Sequence, residues 1–433
     1  MIGSVFQPPV PSWYTATANH RDCRPPLAGD LDCEVCVVGG GLTGVTAALA
    51  LAERGFDTVL LEAEQVGWGA SGRNGGQIHS GFNPDLAEIT ALVGAADARA
   101  LWAMAEDAKA ILRGRIHRHA IACDLRRGLI YAASRSRHLD EIAAWQREWT
   151  ESCRYPHLRR LDRDEMRAQV ASPAYCGGLL DEDGGQLHPL NYLLGLATAA
   201  VQAGVRLFEG SAVTGLDPGD HRRGPSVTTG HGRVRARWLV VATNGGPPPL
   251  APAMDRIIMP VQTTLVVTEP LGADTAAALV PSDLPVCDLT FTIRYFRRTP
   301  DHRLMFGGGV SYGQVPQPGA RWAGRRRLAT VFPQLRGVGI DCCWSGTVAM
   351  TRNRLPHFGR LGPATLFAHG YSGHGLAFTA LAGTVLAEAV AGNPERFEVL
   401  ARIPHTPFPG GRWWRRPALV AAMGWYRLRD WIG

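Results

Sequence analysis

Glycines at positions 39, 41 and 44 have the spacing G-x-G-x-x-G, and Glu62 follows the last of them by eighteen residues. In such a run the first glycine permits a tight turn, the second lets the backbone approach a pyrophosphate, and the third lets a helix sit close to a strand. A carboxylate at Glu62 can accept hydrogen bonds from both hydroxyls of an adenosine ribose and would repel a 2′-phosphate. The chemistry indicated is therefore FAD or NAD binding, not NADP. A second stretch, GWGASGRNGGQ over 67–77, is glycine at five of its eleven positions. That composition suits backbone running against a flat ligand with its amides turned inward. A flexible surface loop is the alternative, and the position just past Glu62, where the second half of a dinucleotide must lie, favours the ligand. A third glycine turn, GYSGHG over 370–375, opens a long apolar helix whose electropositive N-terminus can face an anion.

The elements that must position these groups are legible around them. Val35 to Val38 is a short apolar run of the kind expected of a buried parallel strand. Leu42, Val45, Leu49 and Ala52 share one face of the helix that follows, Gly55 is placed to stop it, and Thr58 to Leu61 is the second strand. Helical spacing is predicted from Pro84 to Ala120, a strand over Gly128 to Ala133, and a charged helix through Trp145 and Trp149. Gly185 to Gly204 contains a helix with Pro189 in its first turn, where proline is tolerated. Short strands are expected over Val205 to Phe208 and Ala212 to Leu216, and Arg237 to Gly246 is an apolar strand ending in a small polar turn. Thr263 to Thr268, Phe291 to Arg297 and Arg303 to Val310 alternate as strands, with Gly307 to Gly309 leaving room for a close neighbour. Thr365 to Ala368 is the last strand, and the helix after it runs through Val390.

At 433 residues, two domains are expected. The first thirty residues, proline-rich and containing Trp13 and Tyr14, read as an arm over the surface without a signal peptide. No stretch is long enough to span a bilayer, so the expected location is the cytoplasm. The formal charge of +7 is small for the length, and Lys109 is the only lysine, so the basic excess is dispersed arginine rather than a nucleic-acid surface. Cys33 and Cys36 have C-x-x-C spacing, yet a separation of three along a strand sends them to opposite faces. His117 and His119 lack a third ligand nearby, and no metal site is expected.

Val37 to Gly44 with Glu62, the Ala242-Thr243-Asn244 strand end and the 370–375 turn together resemble the FAD-dependent D-amino-acid oxidase and glycine/sarcosine oxidase superfamily. Within it, VGWGASGRNGGQ from Val66, LPHFGRLG from Leu355, GYSGHG from Gly370 and HTPFPGG from His405 are similar to the subgroup that oxidises gamma-glutamylputrescine. The resemblance implies an α/β fold, α+β overall, in which a Rossmann-like FAD-binding domain is interleaved with an antiparallel-sheet substrate domain. The expected division is an arm over 1–30, an FAD domain over 31–83, 180–247 and 344–395, a substrate domain over 84–179 and 248–343, and a tail over 396–433.

The same resemblance implies the site. Gly39, Gly41, Leu42, Thr43 and Gly44 would take the pyrophosphate, and Glu62 with Ala63 the ribose. Trp68, Gly69, Ala70, Ser71, Gly72, Arg73, Gly76 and Gln77 would pass along the isoalloxazine ring and ribityl chain, and Val213 would meet the adenine. Thr243, Asn244, Gly346, Gly373, His374, Gly375 and Leu376 complete the cofactor contacts. FAD is expected to be noncovalent, because the stretch around Val348 and Ala349 has no cysteine. His374 is either a group at the flavin or a helix cap or packing residue. Tyr295, Tyr371 and Gln77 are candidates to line the amine pocket, with core packing as the alternative for each, and Arg294, Arg352 and Arg73 to meet a substrate carboxylate, with a surface or structural ion pair as the alternative. The implied reaction converts gamma-glutamylputrescine to gamma-glutamylaminobutanal, with ammonia and hydrogen peroxide released. The rival is an amine or amino-acid dehydrogenase of the glycine, sarcosine or proline type that passes electrons to a quinone. An FAD-holding module without turnover is a third reading. Oxygen or a quinone is thus the acceptor. Lys109 is expected far from the ring, unlike the lysine some sarcosine-type relatives hold above it. The arginines and tryptophans of the C-terminal tail would suit a peripheral membrane contact, with packing on the protein the favoured alternative.

Overall fold

The computed structural model describes residues 11–244, 250–290, 292–311 and 319–409. The tail from residue 410 and the expected boundary between 247 and 248 lie outside them. Two sheets organise the chain. The first has eight strands, and its path runs His357–Gly362, Thr365–His369, Gly232–Val241, Leu31–Val38, Thr58–Leu61, Arg206–Phe208. Thr365–His369 onward to Arg206–Phe208 pair in parallel, as the uninterrupted apolar runs predict. Val35, Val37, Leu60 and Val240 are fully buried in it.

Helices Leu42–Ala52, Pro189–Gln202, Ala95–Arg118 and Gly375–Val390 contribute to the largest apolar core together with this sheet. The first and last of these pack so closely that a Cβ on Gly383 would lie 2.3 Å from Thr46 Oγ1. The expected helical stretch 84–120 is two helices, Leu86–Val93 and Ala95–Arg118, broken where Gly94 takes φ +83°. Among the described residues no single helix is long and apolar enough to cross a membrane.

The second sheet has nine strands, on a path Ile340–Met350, Met259–Thr268, Leu304–Ser311, Tyr295–Arg298, Val286–Asp288, Arg126–Ala133, Gly177–Gln186, Gln77–Ile78, with Leu158–Leu161 beside Gly177–Gln186. All its pairings are antiparallel except Val286–Asp288 with Arg126–Ala133. The expected boundaries at 180 and 344 fall inside two of its strands, Gly177–Gln186 and Ile340–Met350. Backbone pairing carries those segments into the second sheet. Gln77–Ile78, expected with the nucleotide domain, also pairs there.

The described part of the N-terminal segment corrects the sequence reading. Instead of draping over the surface, it forms the short helix Trp13–Ala16, with Trp13 and Tyr14 only 5% and 0% exposed. Tyr14 packs edge-on against Trp344 at 5.4 Å and His188 at 4.9 Å, and its hydroxyl donates to Met305 Sδ. Cys33 is partly exposed and Cys36 buried, both as free thiols, as strand alternation requires.

Candidate active site

The first glycine turn is closed by sterics. Gly39 takes φ +112°, and a Cβ on Gly44 would stand 1.8 Å from Gly39 O, so only glycine lets helix Leu42–Ala52 begin there. Glu62, at the end of Thr58–Leu61, accepts from the Gly40 amide at 2.5 Å and the Glu64 amide at 3.0 Å. Burial raises its pKa, against the lowering effect of those two amides. Gly40, which the sequence reading passed over, has no room for a Cβ, since it would meet Glu62 Oε2 at 2.8 Å. Ser211 N donates to Glu62 O, which brings the hairpin containing Val213 beside the same residue.

The 67–77 stretch is stitched to that helix start. Ser71 Oγ accepts from the Leu42 amide at 2.9 Å, and a Cβ on Gly72 would lie 2.2 Å from Gly67 O. Arg73 stacks over the Trp68 ring with Cζ 4.4 Å from its centroid. Trp68 Nε1 and Arg73 Nη2 are buried donors without a partner, and burial lowers the Arg73 pKa. The Arg73 carbonyl accepts from Trp344 Nε1, and a Cβ on Gly346 would stand 3.4 Å from Arg73 Cβ. Unfilled donors on a tightly folded glycine loop fit a polar ligand lying along it.

The third turn closes on the first. Asn244 Oδ1, beyond Gly232–Val241 and Thr243, accepts from the Gly370 amide, and Thr43 Oγ1 meets Tyr371 OH at 2.8 Å. Tyr371 is thereby a buried brace between the two glycine turns, not a free pocket hydroxyl. Gly373 takes φ +96° with open space where a Cβ would be, whereas a Cβ on Gly375 would touch Tyr371. Leu376 is buried in the first turn of the helix. His374 occupies the N-cap position, but its side chain makes no capping bond. Its ring instead stacks on His79, with centroids 4.6 Å apart and planes 8° from parallel. His374 Nδ1 is buried without a partner, while His79 Nδ1 meets Tyr131 OH at 3.2 Å. Burial pushes His79 down to about 4 and His374 well below the ordinary imidazole range, the latter helped by His79 and Arg354.

The remaining candidates separate. Tyr295 covers Gly75 and Gly307, where added Cβ atoms would lie 2.7 and 2.1 Å from its ring, so the glycines of Leu304–Ser311 leave room as expected. Gln77 Nε2 donates to Val286 O. Arg294 is committed to Asp288, a buried carboxylate that also accepts from Thr290. Arg352 is exposed and reaches toward the carbonyl of Pro407. Of the three candidate arginines, only Arg73 keeps a buried nitrogen unpaired. His79 and Gly75 were not singled out from the sequence. The signal for His79 was its place two residues after Gln77, at the end of the glycine-rich stretch.

The family model described as FAD dependent oxidoreductase matches residues 34–389, most of the chain. This protein belongs to the FAD-dependent oxidoreductase family. Gamma-glutamylputrescine oxidoreductase of Escherichia coli is 40% identical over 423 residues, 98% of each chain, and a probable oxidoreductase of Haemophilus influenzae is 36% identical over 99% of each. Among solved structures, glycine oxidase from Bacillus cereus superposes with TM-score 0.71 at 18% identity, covering 86% of this chain and 99% of that one. L-proline dehydrogenase from P. horikoshii gives 0.69 at 20% identity, over 86% and 99%. The fold of this FAD-dependent oxidoreductase is thus that of the flavoprotein amino-acid oxidases. The glycine cradle, the Glu62 carboxylate and the unfilled donors of Trp68 and Arg73 fit FAD as its cofactor. Among the described residues no group of His, Cys, Asp or Glu is arranged to hold a metal ion.

Proposed function

We propose that this oxidoreductase cleaves the terminal C–N bond of gamma-glutamylputrescine, yielding gamma-glutamylaminobutanal, ammonia and, with oxygen as acceptor, hydrogen peroxide. The supporting observation is the end-to-end likeness to the Escherichia coli gamma-glutamylputrescine oxidoreductase. Bound FAD supplies the two-electron acceptor, and the net change is amine plus oxygen plus water to aldehyde, ammonia and peroxide. Gly39, Gly41, Thr43 and Gly44 would hold the diphosphate, Glu62 the ribose, and the 67–77 loop with the turn at His374 the ring system.

The work left to side chains is selection and desolvation. Loss of hydride needs the nitrogen lone pair, so the substrate reacts as the neutral amine, and a dry pocket favours that form over the ammonium. Arg73 is the candidate for the glutamyl carboxylate, because its side chain is only partly buried, so a ligand can approach the guanidinium, and one of its nitrogens has no partner within the protein. Tyr295 and Gln77 would line the path to the cofactor. A cytoplasmic location belongs to this reading and is checked by fractionation.

The decisive experiment is a panel of gamma-glutamylated and free polyamines, sarcosine, glycine and proline, scored by anaerobic bleaching of the yellow cofactor and by peroxide in air. Gamma-glutamylputrescine should give the highest kcat/KM on both readouts. A preference for sarcosine, or bleaching without peroxide, would replace the substrate or the acceptor respectively.

A further inference from the structure

Arg297 lies in strand Tyr295–Arg298 and is 1% exposed, yet no carboxylate among the described residues pairs with it. Its Nη2 donates to Tyr14 OH at 3.3 Å, its Cζ stands 5.8 Å from the Tyr14 ring centroid, and Nε and Nη1 are buried without partners. An isolated charge taken out of water is costly even after relaxation. A fold that keeps one needs a negative partner somewhere. Arg294 finds its partner within the protein, in Asp288, whereas Arg297 has no such counterpart.

The surroundings narrow what the partner can be. Because Nε and Nη1 are closed off from solvent, a substrate carboxylate cannot reach them directly. The field is felt nearby: burial, and after it the Arg297 charge, hold His188 at about 3. On another side is the cofactor loop, where a Cβ on Gly76 would lie 3.4 Å from Arg297 Nη2. Tyr14 and Met305 are also beside it, and neither carries a compensating charge.

We propose that Arg297 is a positioning residue for the cofactor's electronics: an uncompensated guanidinium behind the Gly75–Gln77 segment that stabilises the negative charge FAD gains on reduction. This rests on FAD lying along the 67–77 loop. A buried charge acts through a low effective dielectric, so its effect outlasts salt screening that would silence a surface arginine. It favours the reduced over the oxidised cofactor and therefore raises the potential, whichever amine is the substrate.

The test is the ratio of oxidised to reduced FAD in the purified holoenzyme, equilibrated without substrate against a redox dye. Arg297→Met should shift that ratio about tenfold or more toward the oxidised form, and Arg297→Lys should stay within about threefold of the parent. Should Arg297→Met fail to fold, a pair of variants leaves the arginine in place. His188 accepts from the Asn191 amide as the N-cap of Pro189–Gln202, a role both Asp and Asn fill well. His188→Asp sets a carboxylate near the guanidinium and should shift the ratio as Arg297→Met does, whereas His188→Asn should not. Equal ratios in His188→Asp and His188→Asn would overturn the proposal. Loss of FAD from the parent protein would instead overturn the loop's cofactor role, and this proposal with it.

Discussion

The imidazoles of His79 and His374 lie face to face, 4.6 Å apart, at the mouth of the last long helix. They come from segments almost three hundred residues apart, and both are kept neutral by burial, His79 at about 4 and His374 well below its ordinary range. The positive helix end beside them opposes protonation further.

Imidazoles that hold a proton this weakly are poor general bases, and the reaction is expected to proceed without them as proton acceptors. The pH profile of kcat/KM should carry no limb between 6 and 7 from these imidazoles, and should rise on the alkaline side as the substrate ammonium loses its proton. His79→Gln should reduce kcat/KM by less than about tenfold, below the ~10²–10⁴ expected on removing a general base. A limb near 6.5 that vanishes in His79→Gln would refute this assignment.

Gly44 sets the cofactor cradle. Its Cβ would overlap Gly39 O at 1.8 Å, so Gly44→Ala must push the helix off the strand. Overpacking of this kind costs about 1–3 kcal/mol. The expected result is a lower melting temperature and loss of most bound FAD, read from the visible absorbance relative to that of the protein.

What was legible in the sequence was local. The first strand, glycine turn and helix, and the helix after Gly370, depend on neighbours within a few residues, and the structure forms them at the expected places. What was missed depends on distant pairing. The apolar ring of Tyr14 gave no sign of its burial, because its partners Met305, His188 and Trp344 are all more than 170 residues away. Gly177–Gln186 and Ile340–Met350 looked like ends of the nucleotide domain because sheet membership is decided by the strand alongside, not by the strand itself. Arg294 and Arg297 are alike in sequence, and only the position of Asp288 distinguishes a neutralised guanidinium from an unpaired one.

A cluster of three histidines should make the protein acid-labile. His357 Nδ1 meets His369 Nε2 at 2.8 Å, so one proton bridges them, and the His405 ring lies 4.5 Å from that of His357. Burial holds His357 at about 3, His405 at about 4, and His369 well below the ordinary range. These folded values lie below the unfolded one, so the unfolded chain binds more protons at mildly acidic pH. The stabilising contribution is complete above about 6.5 and is lost as pH falls toward the folded values. Melting temperature should therefore drop between pH 6.5 and 4, and less steeply in His405→Gln, which has one site fewer.

Lys109 is a structural charge. It is 1% exposed, with Nζ 2.8 Å from Glu106, 3.0 Å from Asp183 and 2.9 Å from Tyr155 OH, and it also donates to Ser80. Its two acids respond differently. Burial raises Glu106 against Lys109 and the Gly81 amide, whereas Lys109, Arg127 and Arg113 overcome burial and hold Asp183 at about 2. Lys109→Met leaves two carboxylates short of a partner and should destabilise by about 3–5 kcal/mol in denaturant titrations. The spectrum of bound FAD should be unchanged in whatever folds.

Arg73 and Arg294 should separate substrate binding from stability. Asp288 is fully buried and spends its acceptors on Arg294 and Thr290, so Arg294→Ala strands a carboxylate and should cost about 3–5 kcal/mol of stability. Arg73 has no carboxylate partner, and its guanidinium rests on Trp68 with one nitrogen free. Arg73→Ala should leave stability within about 1 kcal/mol. It should lower kcat/KM for gamma-glutamylputrescine by about tenfold or more and spare free putrescine, which has no carboxylate to lose. Equal losses on the two amines would remove Arg73 as the carboxylate receptor, because a residue that serves only the cofactor cannot tell the substrates apart.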